Sequence, residues 1–236
     1  MRLVSFVAFF SFLLFGCKDV KIITSNEDKG IKDVLVFFGG YCEYSIGASI
    51  STDEGTKKFF ELKESKSEVL EKYSNSPDVM ASNMAYIFYS DLKSENKRYS
   101  EIHSVLIFDK KEKYEAIYSR DQLELISAKM NVLNKVIDLI KAKNFVGLKP
   151  ILSDDSYTED AKNQLISNLQ KVDTTVGNIK GFTLFGFRYE SLNGFKVLDI
   201  FGVINTDKQN NPFTLKVDLK VSEDKIHFLD YNFPLN

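Results

Sequence analysis

Between Tyr44 and Ile50 the larger side chains fall on every second residue, with Ser45, Gly47 and Ser49 between them. This period of two predicts a strand with one face of small polar residues. Asp53-Glu54-Gly55 supplies a turn after it, and Lys57–Leu62 can return as a neighbouring strand. The continuous apolar run Val34–Phe38, ending at Gly39-Gly40, has the length and bulk of a buried strand. Ser76-Pro77-Asp78 reads as a helix start, since serine can cap, proline suits the first helical position and aspartate favours the positive end of the dipole. Met80, Met84, Ile87 and Phe88 then share one helical face, and a shorter helix is expected over Ser67–Tyr73. Ile102–Phe108 and Lys113–Tyr118 flank the charged turn Asp109–Glu112, the pattern of a hairpin.

The period changes at Asp121. Leu123, Ile126, Met130, Leu133, Ile137 and Ile140 recur at spacings of three and four, which predicts a long amphipathic helix over Asp121–Asn144. A short turn follows around Phe145, Leu148 and Ile151, ending near Pro150. Thr158 then caps a further helix whose stripe is Ala161, Leu165, Leu169 and Val172. Four strands close the chain: Phe182–Tyr189, Phe195–Ile204, Phe213–Val221 and Ile226–Phe233. Asn193-Gly194 is a tight-hairpin signal, and the later turns fall at Asn210–Pro212 and Ser222–Asp224. In the third strand Phe213, Leu215, Val217, Leu219 and Val221 alternate with Thr214, Lys216, Asp218 and Lys220, one face buried and one wet. Val197–Ile204 is apolar on both faces except at Asp199, which places it in mid-sheet.

The expected class is α+β. Residues 31–120 form an antiparallel sheet with a helical insert, and residues 121–236 form helices packed on a curved four-stranded antiparallel sheet. Composition agrees with a folded chain: 44% hydrophobic and 27% charged residues are ordinary globular values. Twenty Phe and eleven Tyr with no Trp mean that phenylalanine carries much of the core. Thirty-one cations against thirty-three anions leave no basic excess for a nucleic-acid backbone, so no nucleic-acid partner is expected.

The first seventeen residues, MRLVSFVAFFSFLLFGC, set one cation before a short apolar run. The run is too short to span a bilayer and has the layout of a secretory signal. Leu14-Phe15-Gly16-Cys17 resembles the lipobox of bacterial lipoproteins, with Phe15 bulkier than the residue usual there. The resemblance implies removal of residues 1–16 as a signal peptide, acylation of Cys17, and membrane lipid as a partner through that residue. Lys18, standing where an aspartate would retain the protein in the inner membrane, implies by the enterobacterial sorting pattern an outer-membrane lipoprotein facing the periplasm. Residues 17–30 are then expected to be a lipidated tether. With Cys17 acylated, Cys42 is the remaining thiol and no internal disulfide is available; a buried, inert thiol is expected there. A second resemblance covers residues 121–236, whose order of helix, short helix, helix and four strands is similar to the nuclear-transport-factor-2-like, or cystatin-like, cone. That fold hosts both enzymes and binding modules.

Candidate chemistry is sparse. No phosphate-binding glycine loop, dinucleotide fingerprint, His-Glu-x-x-His, Cys-x-x-Cys or nucleophile elbow is present, so no catalytic residue, metal site or cofactor is assigned. Asp199 in an apolar strand, with His227 and Asp230 on the last strand, could line a pocket in a cone. The plainer reading pairs Asp199 with Lys196 or Arg188. Cys42 and His103 would make a thiolate–imidazole pair only if the fold joined them. Asp154-Asp155 matches no calcium loop, and Lys93–Arg98 reads as a solvated helix end. Phe37-Phe38, Phe59-Phe60 and Tyr86-x-Phe88-Tyr89 suit core packing before a ligand pocket. The functional expectation is a non-enzymatic, membrane-anchored envelope lipoprotein that binds an envelope protein or a hydrophobic ligand. The alternatives are a small cone-fold enzyme using Asp199, Asp230 or His227, and a lipoprotein giving immunity to a periplasmic toxin.

Overall fold

The computed structural model describes residues 23–51, 55–110, 112–220 and 224–231. The lipobox, Cys17 and, of the expected turns, Asp53, Glu54, Ser222 and Glu223 lie outside the described residues. The chain is α+β. Its helices are α1 (Ser25–Phe38), α2 (Glu68–Lys72), α3 (Pro77–Leu92), α4 (Arg120–Lys141) and α5 (Glu159–Val176). Its strands are β1 (Tyr41–Ser51), β2 (Gly55–Ser65), β3 (Glu101–Ile107), β4 (Lys113–Ser119), β5 (Ile179–Leu192), β6 (Phe195–Thr206), β7 (Asn210–Asp218) and β8 (Ile226–Tyr231). They form two four-stranded sheets, ordered β1-β2-β3-β4 and β5-β6-β7-β8.

One expected element is replaced. Residues 25–30 are not tether and Val34–Phe38 is not a strand; both belong to α1. The start is a capping box, in which the Thr24 hydroxyl accepts from the Glu27 amide at 3.2 Å and the Glu27 carboxylate takes the Thr24 amide at 2.7 Å. Ile31, Val34 and Phe38 then bury one stripe while Val36 stays exposed. A five-residue apolar run cannot by itself distinguish a buried strand from the end of an amphipathic helix.

The N-terminal sheet is antiparallel in its two hairpins but parallel between β2 and β3. The cause is α3. A chain that leaves β2, runs through a helix and returns beside it enters in the same direction. The C-terminal sheet is antiparallel throughout. The Asn193-Gly194 turn has positive φ at both residues (50° and 87°), as the tight hairpin requires.

Helix α3 joins the two sheets. The residues from Val79 to Ala85 are all buried, so this helix is covered on all sides rather than on one face. Its small polar residues serve the free edge of β5: the Ser82 hydroxyl accepts from the Phe187 amide at 2.8 Å, and the Asn83 amide donates to the Leu184 carbonyl at 3.3 Å. On the other side Ser104 of β3 donates to the Ala81 carbonyl at 2.9 Å. A β-bulge places Gly186 (φ 142°) against α3, where a Cβ would lie 2.0 Å from the Val79 carbonyl oxygen, so only glycine lets the strand approach. Gly30 does the same between α1 and α3, where a Cβ would meet the Phe88 ring at 2.7 Å. One hydrophobic cluster runs from Ile31 to Tyr231 and includes residues of both expected segments. Of the aromatic residues expected to fill the core, Phe38, Phe60, Phe88 and Tyr89 are buried in it, Phe60 stacking on Phe88 at 4.2 Å and meeting Tyr99 edge-on at 5.4 Å, whereas half-buried Phe59 stands on the other face of β2.

Candidate functional site

The three residues marked out in the C-terminal sheet do not converge. Among the described residues no hydrogen bond or ion pair joins any two of Asp199, His227 and Asp230. Arg188, Asp199 and Lys216 stand directly opposite one another on β5, β6 and β7, so their side chains share one face. Asp199 is buried and its Oδ2 lies 3.5 Å from both Arg188 Nε and Lys216 Nζ. Lys216 also bonds Glu190. Burial raises the Asp199 carboxyl above the usual carboxylate range, and the two cations only partly offset this. The row is a cross-strand ion ladder that includes the expected Arg188 pairing. Asp230 is half-buried and stands opposite Thr214.

His227 has partners that the sequence did not suggest. The β7–β8 register shifts between Lys216 and Val217, so His227 sits at a bulge. Its Nε2 lies 3.2 Å from Asp218 Oδ2 and its Nδ1 lies 2.7 Å from Ser156 Oγ. The Phe195 ring stacks on the imidazole at 4.5 Å. The loop before α5 is pinned there by the Ser153 amide, which donates to the Ile226 carbonyl at 2.9 Å. Burial opposes ionisation of Asp218, but the Lys220 amide at 2.7 Å and His227 outweigh it and hold the carboxyl below its ordinary value. An ionised Asp218 only accepts, so Nε2 carries a proton and donates to it.

The residue types are those of a nucleophilic serine site, yet the surroundings are not. The amides of Asp155, Ser156 and Tyr157 all donate within the loop, to the Ser153 hydroxyl or carbonyl at 3.0–3.3 Å. None is left to face an oxyanion, the largest single term in acyl transfer. The chain of bonds therefore fastens the loop to the sheet. A serine-directed fluorophosphonate is expected to leave Ser156 unlabelled in intact-mass analysis, and Ser156→Ala is expected to cost about 1 kcal/mol in urea denaturation. Labelling at Ser156 would show a reactive hydroxyl.

Cys42 and His103 are two strands and three residues apart, on opposite faces, roughly 14 Å by strand spacing. His103 instead bonds Glu101 at 3.0 Å and stacks on Phe59 at 4.3 Å. The partner of Cys42 across the hairpin is Glu64, which continues the core-facing series Phe60, Leu62, Glu64 along β2. Glu64 is fully buried, and neither carboxylate oxygen makes a well-formed hydrogen bond. Burial lifts its carboxyl to about 7, against a downward pull from the nearby Ser65 and Tyr41 amides. Burial and the Glu64 charge push the Cys42 thiol up to about 12, which makes it a poor nucleophile. Of the other candidates, Asp154 pairs with Lys162, and Arg98 pairs with Glu27 at 2.8 Å. No helix among the described residues is long and apolar enough to cross a membrane.

No family model, curated protein or solved structure matches this chain.

The feature that stands out is the edge of the first sheet. Among the described residues β1 pairs only with β2. The edge strand β5 is covered by α3, and the edge strand β4 carries Lys113 and Glu115. β1 has neither protection. Its single charge, Glu43, is answered across the hairpin by Lys63 at 2.6 Å. Tyr44, Ile46 and Ile50 lie on the face that carries Phe60 and Leu62, yet they are exposed, Ile50 by 84%. Tyr44 stacks on Phe60 at 5.7 Å, so the exposed shelf continues the buried core. β3 begins only opposite Phe59, which leaves the end of the β1–β2 hairpin projecting past the rest of the sheet. A groove of about 470 Å³ between α4 and β5 is open and sets Leu125, Tyr189 and Leu219 beside Glu190 and Lys196.

Proposed function

We propose that this protein is a bacterial envelope lipoprotein, anchored in the membrane through acylated Cys17, that binds a protein partner by strand addition along β1. The anchor rests on the lipobox-like Leu14-Phe15-Gly16-Cys17, and Lys18 after it favours the outer membrane, facing the periplasm. The binding role rests on one observation: β1 is an eleven-residue edge that no described residue covers, with its charge already neutralised and an apolar shelf beside it. Strand addition takes its affinity from main-chain hydrogen bonds, and the free edge of β1 offers a row of them. An enzyme built on Asp199, Asp230 and His227 has less support, because those residues lie apart.

The test is site-directed cross-linking in intact cells. A photoreactive benzoylphenylalanine at position 50 on β1 is expected to give a discrete protein adduct. The same group at position 146, also exposed but on the turn after α4, is expected to give none. Cys17→Ala is expected to move the protein out of the membrane fraction. No adduct at position 50, or equal adducts at both, rules out β1 as the docking edge.

A further inference from the structure

We infer that the strand covering β1 is the β1 of a second copy of this chain, paired antiparallel about Ile46 so that two four-stranded sheets become one. This rests on the reading of β1 as a docking edge and names its occupant.

A two-fold axis through Ile46 sets Ile46 opposite Ile46, Tyr44 opposite Ala48 and Cys42 opposite Ile50. All of these lie on the shelf face of both strands. Glu43 then stands opposite Ser49, so no like charges meet. Because the axis runs through the sheet, the helix-bearing faces of both copies lie on the same side. The two exposed shelves therefore join into one apolar trough between the two helical layers. A foreign strand would need a charge or a pocket on β1 to select it. β1 offers neither, since Glu43 is engaged by Lys63 and the other face carries Ser45, Gly47 and Ser49. The strand is complementary to itself.

Eleven residues a side fall short of the roughly 20–30 of a stable interface. The pairing is accordingly weak in dilute solution. Confinement of anchored copies to one membrane raises their effective concentration and populates it.

The experiment uses the full-length chain in its own membrane, with benzoylphenylalanine at position 46 or 50. The expected product has twice the mass of the chain. From position 50 the attachment is expected at residues 41–43 of the second copy. Ile46→Lys, which sets two ammonium groups face to face at an exposed edge, is expected to abolish the position-50 product without unfolding the chain. A product containing a different protein overturns the second copy and leaves β1 as a docking edge. No product at either position overturns both.

Discussion

Phe60→Ala is expected to lower the unfolding free energy by about 3–5 kcal/mol, measured by urea denaturation at neutral pH. Native domains hold only about 5–15 kcal/mol in total, so this one change removes a large share. The ring is fully buried, stacks on Phe88 and Tyr44, and meets Tyr99 edge-on. Its removal leaves a void between β2 and α3 that surrounding aromatics, fixed by helix and strand, cannot close. Phe60→Leu is expected to recover most of the loss. The consequence reaches the proposed interface, because Phe60 is the residue opposite Ile46 and supports the shelf beside it. Loss of less than about 1 kcal/mol would mean that the site collapses freely and that β2 is not anchored as described.

Glu64→Gln is expected to stabilise the protein at pH 8 and to leave its stability near pH 4.5 unchanged. The sign follows from the direction of the shift. Burial lifts the Glu64 carboxyl from its ordinary value near 4.5 to about 7. Below pH 4.5 the group is neutral in the folded and unfolded chain alike, and it costs nothing. Between pH 4.5 and 7 the unfolded chain loses the proton and the folded chain keeps it, so stability falls as pH rises. Above pH 7 both have lost it, and the buried carboxylate costs about 3 kcal/mol. Groups such as Asp218, held below the ordinary range, act oppositely as pH falls, so the quantity to measure is the difference between variant and wild type. A difference that stays flat from pH 4.5 to 8 would show that Glu64 is not held protonated. The group sits across from Cys42 at the base of the β1–β2 hairpin, where the α1 end is tied down by the Ser67 hydroxyl on the Phe38 carbonyl at 2.6 Å. The cost thus falls at the root of the proposed docking strand.

Local chemistry carried much of the architecture. The helix over Arg120–Lys141 follows from its apolar spacing, the α5 start from the Thr158 cap, and the β5–β6 hairpin from Asn193-Gly194, because each depends on residues within a turn or two of one another. The return strand was expected over Lys57–Leu62 and stopped short of Glu64, whose place at a core position emerges only from the longer β2. Tertiary structure decided the rest. It turned Val34–Phe38 into the end of a helix, since a short apolar run suits either state until its neighbours exist. It made the β2–β3 pairing parallel, because the path of α3 sets the direction of return. It parted Asp199, His227 and Asp230 and joined His227 to Ser156 and Asp218 through a bulge and a loop more than seventy residues away in the chain. Above all it decided which strand is an edge. The alternation from Tyr44 to Ile50 specifies a strand with an apolar face; only the order of strands and the reach of the helices leave that face uncovered.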